Sequence, residues 1–162
     1  MNVKRILVWG VVEGLAVLGL TQCLVACRER AEEPAPRIVN IINFVRQTEP
    51  RPVNISDEDL FLTTLRQVEL LEKHRLRGTF LLQYDALLNP RYQELMRRAL
   101  KEGSEVGGWW EITQPHVEAA GMTWRGAYPW DWHANVGFST GYTPEEREKL
   151  VDVYMAEFKK IF

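Results

Sequence analysis

Three short apolar runs, separated by stretches with helical periodicity, constrain this chain most. Residues 38–45 (IVNIINFV), 79–84 (TFLLQY) and 104–109 (SEVGGW) are too short for helices. The first is nearly continuously apolar and rich in β-branched residues, as suits a strand buried on both faces. Between the first two runs, Ser56 is placed to cap a helix, and Asp57, Glu58 and Asp59 complement its positive dipole end. Phe61, Leu65, Val68 and Leu71 fall on one face of that helix. It is expected to end over residues 74–77, with Gly78 as terminator. Between the second and third runs, Asn89 and Pro90 stand in the order of a cap and a first-turn proline. Tyr92, Leu95, Met96 and Ala99 make that second helix's apolar face. The pattern βαβαβ predicts an α/β fold with parallel strands at about 38–45, 79–84 and 104–109. In such sheets ligands bind beyond the carboxyl ends of the strands.

After Ile112 the rhythm breaks. Residues 113–142 hold glycine, proline and aromatic residues without periodicity, apart from a helical turn expected over 116–120. A connection of that length is far beyond the usual 2–6 residues and is commonly functional. Thr143 and Pro144 then open a last helix, with Leu150, Val153, Tyr154, Phe158 and Ile161 expected to face a core. Three strands leave a sheet edge uncovered, and closure into a barrel would remove it. Residues 38–162 are therefore expected to be the N-terminal part of a longer β/α barrel.

The first 27 residues have a different character. Lys4 and Arg5 precede an apolar stretch, 6–26, interrupted by Glu13, Thr21 and Gln22. This is the layout of a signal peptide or of a membrane anchor. Leu24-Val25-Ala26-Cys27 resembles the lipobox of bacterial lipoproteins, which implies lipidation at Cys27. The alternative is an uncleaved anchor with Cys27 as a small residue at the interface. On either reading the body is exported to the cell envelope, and residues 28–37, rich in Glu and Pro, form a linker. The only cysteines, Cys23 and Cys27, lie in this segment, so the body has no disulfide. A net charge of -2 and the lack of a basic stripe argue against a nucleic-acid partner.

Chemistry is concentrated around the third run. Glu111 follows it beside Trp109 and Trp110, and indoles that desolvated it would raise its pKa, as a general acid requires. The alternative is a structural salt bridge or a helix cap. Asp85 holds the equivalent place after the second run, and glycosidic chemistry uses a pair of carboxylates. Five of the six tryptophans lie between 109 and 132. Trp109, Trp110, Trp130 and Trp132 could thus stack sugar rings, unless some of them belong to the core. Asn43, near the end of the first run, could point into the same site or bond a loop. His116, Asp131 and His133 are weak candidates for a divalent metal site, because their spacing matches no specific ligand pattern.

Gly103-Ser104-Glu105-Val106-Gly107-Gly108 resembles the third-strand segment of polysaccharide deacetylases, usually G-H-E-I-G-N-H, and Gly78-Thr79-Phe80-Leu81 resembles their second strand. The resemblance spans about residues 38–111. It implies a partial β/α barrel of the deacetylase type and a polysaccharide or oligosaccharide as partner. The family's metal-binding histidines would fall at Trp109 and Thr113, and its paired aspartates in the stretch Asn43-Phe44-Val45-Arg46, so its usual ligands for a divalent metal are absent. What carries over is the fold and the sugar preference. The expected function is a carbohydrate-active hydrolase of deacetylase or glycosidase type, the alternative a non-catalytic surface module that binds glycan.

Overall fold

The computed structural model describes residues 39–49 and 54–162. The signal or anchor, the lipidation site at Cys27 and the linker lie outside them. Among the described residues no helix is long and apolar enough to cross a membrane.

Strands β1 (Ile42–Val45), β2 (Thr79–Leu82) and β3 (Glu105–Gly108) form a parallel sheet in the order β1-β2-β3. Val45, Leu82 and Gly108 stand level at its carboxyl edge. The protein is therefore mixed α/β with a small three-stranded sheet, open at both sides and not a closed barrel among the described residues. All three strands are shorter than their apolar runs predict. At the amino end, the N–H of Gly78 goes to the Ser104 hydroxyl (3.2 Å), which ends the β2–β3 ladder there. At the carboxyl end the ladder closes with Gln83 N–H to the Val45 carbonyl (2.9 Å) and Trp109 N–H to that of Leu82 (2.8 Å). Beyond that point β2 turns at once into a short helix.

Helix α1 (Asp57–His74) starts as expected, with Ser56 and Asp59 forming a reciprocal capping box. Its end differs from expectation. The left-handed residue is Arg75 (φ 54°), and Leu76 N–H returns to the Leu71 carbonyl, so Gly78 is not the terminator. Gly78 is needed for space: a Cβ there would lie 2.8 Å from Leu71 Cδ1 and 3.2 Å from the Ile41 carbonyl oxygen. Helix α2 (Tyr84–Leu88) is a buried turn and a half that periodicity does not predict. Asn89, which ends it, also caps α3 (Pro90–Lys101) by accepting from Arg91 N–H. Tyr92, Leu95, Met96 and Ala99 are the buried face of α3, as the pattern predicts.

After β3 comes α4 (Gln114–Ala119), then an irregular segment, then α5 (Pro144–Ile161), opened by the Thr143/Glu146 capping box. Of the five residues expected to face a core from α5, Leu150 and Tyr154 are buried and Val153, Phe158 and Ile161 half-buried. Tyr154 crosses the carboxyl edge of the sheet, its hydroxyl donating to the Leu82 carbonyl (2.7 Å). Its ring occupies the space over Gly108, where a Cβ would come within 2.7 Å of it. One apolar cluster joins the sheet to α1, α2, α3 and α5. A smaller one, built on Ile112, Val117, Tyr142 and Leu150, fastens the segment after β3.

Candidate functional site

The carboxyl edge of the sheet gathers one charged or polar residue from each strand end. Arg46 follows β1, Gln83 follows β2 and Glu111 comes shortly after β3. They meet in one network. Arg46 donates to both carboxylate oxygens of Glu111, through Nε at 2.8 Å and Nη2 at 2.6 Å, and Gln83 Nε2 donates to Oε2 at 2.6 Å. Glu111 is 2% exposed. Both oxygens of the leading acid–base candidate are thus committed to a two-pronged ion pair, the structural alternative weighed above. A buried carboxylate is tolerated because charge and hydrogen-bonding capacity are both matched.

Asp85 sits differently. It lies in the first turn of α2, with its Oδ1 accepting from the Thr113 hydroxyl. It lines an open cleft of about 480 Å³, together with Gln47, Thr48, Asn89, Pro115 and Pro129. Burial pushes its pKa up to about 6, against the lowering effect of the Thr113 hydroxyl, and the charge on Asp57 adds to the rise. A carboxyl that loses its proton near neutrality and faces a cleft can accept a hydrogen bond, carry a charge or exchange a proton there.

The tryptophans do not form a single platform. Trp130 is 3% exposed, and the Arg46 guanidinium lies over its ring at 4.7 Å from the centroid. Trp130 is thus a core residue under the Arg46–Glu111 pair and not a sugar-stacking face. Trp109 is half-buried against Phe44, ring centroids 3.9 Å apart. Trp110 is partly exposed and donates from Nε1 to Ser139 Oγ at 3.0 Å. With Trp109, Tyr154, Val151 and Met155 it lines a separate apolar groove of about 240 Å³. Only Trp132 offers a broad free face: it is 52% exposed and stacks on His133.

Asn43 stands in mid-strand opposite Phe80, not at the sheet's carboxyl end, and lines no part of the Asp85 cleft.

The residues weighed for a metal site are not brought together. Asp131 accepts from the N–H groups of Ala127 and His133 (3.0 Å each) and contacts the His133 ring. Those backbone donors hold its carboxyl below the ordinary range. His116 lies elsewhere, buried and stacked on Tyr84, with Nε2 bonded to the Leu150 carbonyl at 2.7 Å. Burial lowers its pKa, so the ring is neutral and donates that bond. Among the described residues, no group of three or more His, Cys, Asp and Glu side chains is arranged to hold a metal ion.

Sequence reasoning passed over Arg46, Gln83 and Thr113 as functional partners. Each carries a weak local signal: a polar side chain at the end of an apolar run, or directly after the aromatic cluster. Compared with known proteins, the chain matches no family model, no curated protein and no solved structure.

Proposed function

We propose that this is a glycan-binding domain whose cleft over Asp85 receives the sugar, tethered at the cell envelope through its N-terminal segment. The observation that carries the reading is the cleft itself: an open space of about 480 Å³, floored by a buried carboxylate beyond the carboxyl end of β2. Its walls mix Gln47 and Asn89, bonded to each other at 3.0 Å with donor hydrogens to spare, and Thr48 with the apolar rings of Pro90, Pro115 and Pro129. On this reading the three-stranded sheet is one arc of a β/α barrel of the deacetylase type.

A second reading, a hydrolase, is favoured by one observation: the pKa of Asp85, raised to about 6, suits a general acid or base. Binding ranks first because Glu111, the partner carboxylate such chemistry would recruit, is held by Arg46 and Gln83.

The test is to fill the cleft. Leu88 lines it and is 40% exposed, so Leu88→Trp should obstruct it with little change in thermal stability. Calorimetric titration with chito- and β-gluco-oligosaccharides should show binding by the unaltered chain and at least a tenfold loss in the variant. Unchanged affinity for every sugar bound, or no binding to begin with, overturns the glycan reading. Acetate or reducing ends released during the same titrations would move the assignment to the hydrolase.

The envelope tether rests on Leu24-Val25-Ala26-Cys27. Expressed in a bacterium fed a labelled fatty acid, the chain should take up label and Cys27→Ser should not. Equal labelling of both, or of neither, removes lipidation from the proposal.

A further inference from the structure

We propose that the Asp85 cleft selects an amine-bearing ligand, so that the sugar it takes is an amino sugar with its nitrogen free and protonated, not a neutral or N-acetylated one. This rests on the glycan reading above and adds the chemistry of the group that binds deepest. Asp85 is only 8% exposed yet lines the open cleft. Its Oδ1 takes the Thr113 hydroxyl, and its own backbone N–H is a further donor to the carboxylate. The carboxylate keeps lone pairs for another donor and borders a space large enough for a ligand.

The charges around the carboxylate decide which donor fits. Among the described residues, no side chain lining the cleft is basic. The two nearest arginines in the chain around its walls are engaged elsewhere. Arg46, before Gln47, is paired with Glu111, and Arg91, after Pro90, is paired with Glu58 at 2.6 and 3.1 Å. The charge that does act on Asp85 is that of Asp57, which is of the same sign. Among the described residues the cleft therefore presents a carboxylate with no basic side chain beside it, in a field that favours a cation. A charge-assisted hydrogen bond from an ammonium group is about twice as strong as one from a neutral hydroxyl. It also relieves the cost of holding the carboxylate away from water. An acetylated nitrogen brings no charge to the carboxylate.

The experiment titrates the full chain at pH 7 with three probes: a glucosamine trisaccharide, an N-acetylglucosamine trisaccharide, and ethanolamine, an amine without a sugar ring. The glucosamine trisaccharide should bind at least tenfold more tightly than the acetylated one. Asp85→Asn, which keeps the shape of the side chain and the bond to Thr113, should reduce that preference to within twofold, with a thermal melt confirming that the variant is folded. Equal affinity for the two trisaccharides in the unaltered chain overturns the amine inference and leaves glycan binding standing. Ethanolamine binding as tightly as the glucosamine trisaccharide keeps the amine site and overturns the glycan reading. A tenfold preference that survives in Asp85→Asn removes the assignment to Asp85, and no binding of any probe overturns both readings.

Discussion

Replacing Glu111 by alanine should destabilise the domain by about 3 kcal/mol, a large share of the stability of a domain this size. The variant leaves the Arg46 guanidinium over Trp130 without its carboxylate and leaves Gln83 Nε2 without an acceptor. Breaking a buried pair from one side costs about 3–5 kcal/mol, and Arg46 keeps about a third of its side chain in water (30% exposed), which places the expectation at the low end. Part of the cost belongs to Gln83, whose Oε1 is already a buried atom with no partner. The three residues join the carboxyl ends of all three strands, so the loss should also loosen the segment that begins at Ile112. Pairing the change with its partner separates charge from packing. A double variant, Arg46→Met with Glu111→Leu, removes both charges and keeps apolar cover over Trp130. It should recover more than half of the loss, because the buried carboxylate and the guanidinium paired with it are removed together. Urea denaturation of the two single variants and the double variant reads all three values. A single-variant loss below about 0.5 kcal/mol would mean that the pair is ornamental, as many exposed pairs are.

The elements that could be read from the chain alone are those whose cause is local. Ser56 and Thr143, through reciprocal capping boxes with Asp59 and Glu146, and Asn89, accepting from Arg91 N–H next to Pro90, satisfy helix-end donors within a few residues, and all three helices begin there. The buried stripe of α3 follows from its own periodicity in the same way. Where the cause is distant, the reading fails or stays open. Glu111 finds Arg46 65 residues away and Gln83 28 residues away, and no spacing within 109–116 encodes either partner. Trp130 and Trp132 are two residues apart and similar in their surroundings along the chain. One is buried beneath Arg46, the other open to solvent, because the bridge between Thr113 and Trp130 turns the first inward. The stop of α1 at Arg75 is a third case. A non-glycine residue, Arg75, takes the left-handed conformation at the helix end, and Gly78 serves instead the close approach of Leu71 and β1.

Asp85→Asn should have the opposite sign to Glu111→Ala: it should stabilise the domain at pH 7.5, by up to about 3 kcal/mol. Folding raises the Asp85 pKa from an ordinary 3.8 to about 6, chiefly through burial. Between those values the folded chain keeps a proton that the unfolded chain has lost. Stability is therefore fully present below about pH 3.8, declines as pH rises toward 6, and stays diminished above it. At about 1.36 kcal/mol for each pKa unit, the ionised carboxylate costs about 3 kcal/mol in the folded state. Asparagine has no charge to desolvate, and its carbonyl oxygen still accepts from Thr113. The melting temperature of Asp85→Asn should exceed that of the unaltered chain at pH 7.5 by on the order of 5–10 °C. The gap should shrink to nearly nothing at pH 3, below the ordinary pKa, where the carboxyl is protonated in the folded chain and mostly so in the unfolded one. An equal gap at both pH values would place the gain in packing and not in charge, and a lower melting temperature at pH 7.5 would mean that the carboxylate is already compensated. The sign carries the functional argument. A carboxylate whose burial disfavours its charged form lies at the floor of an open cleft. A ligand cation seated on the carboxylate would offset part of that cost, so bound glucosamine trisaccharide should raise the melting temperature of the unaltered chain more than that of Asp85→Asn.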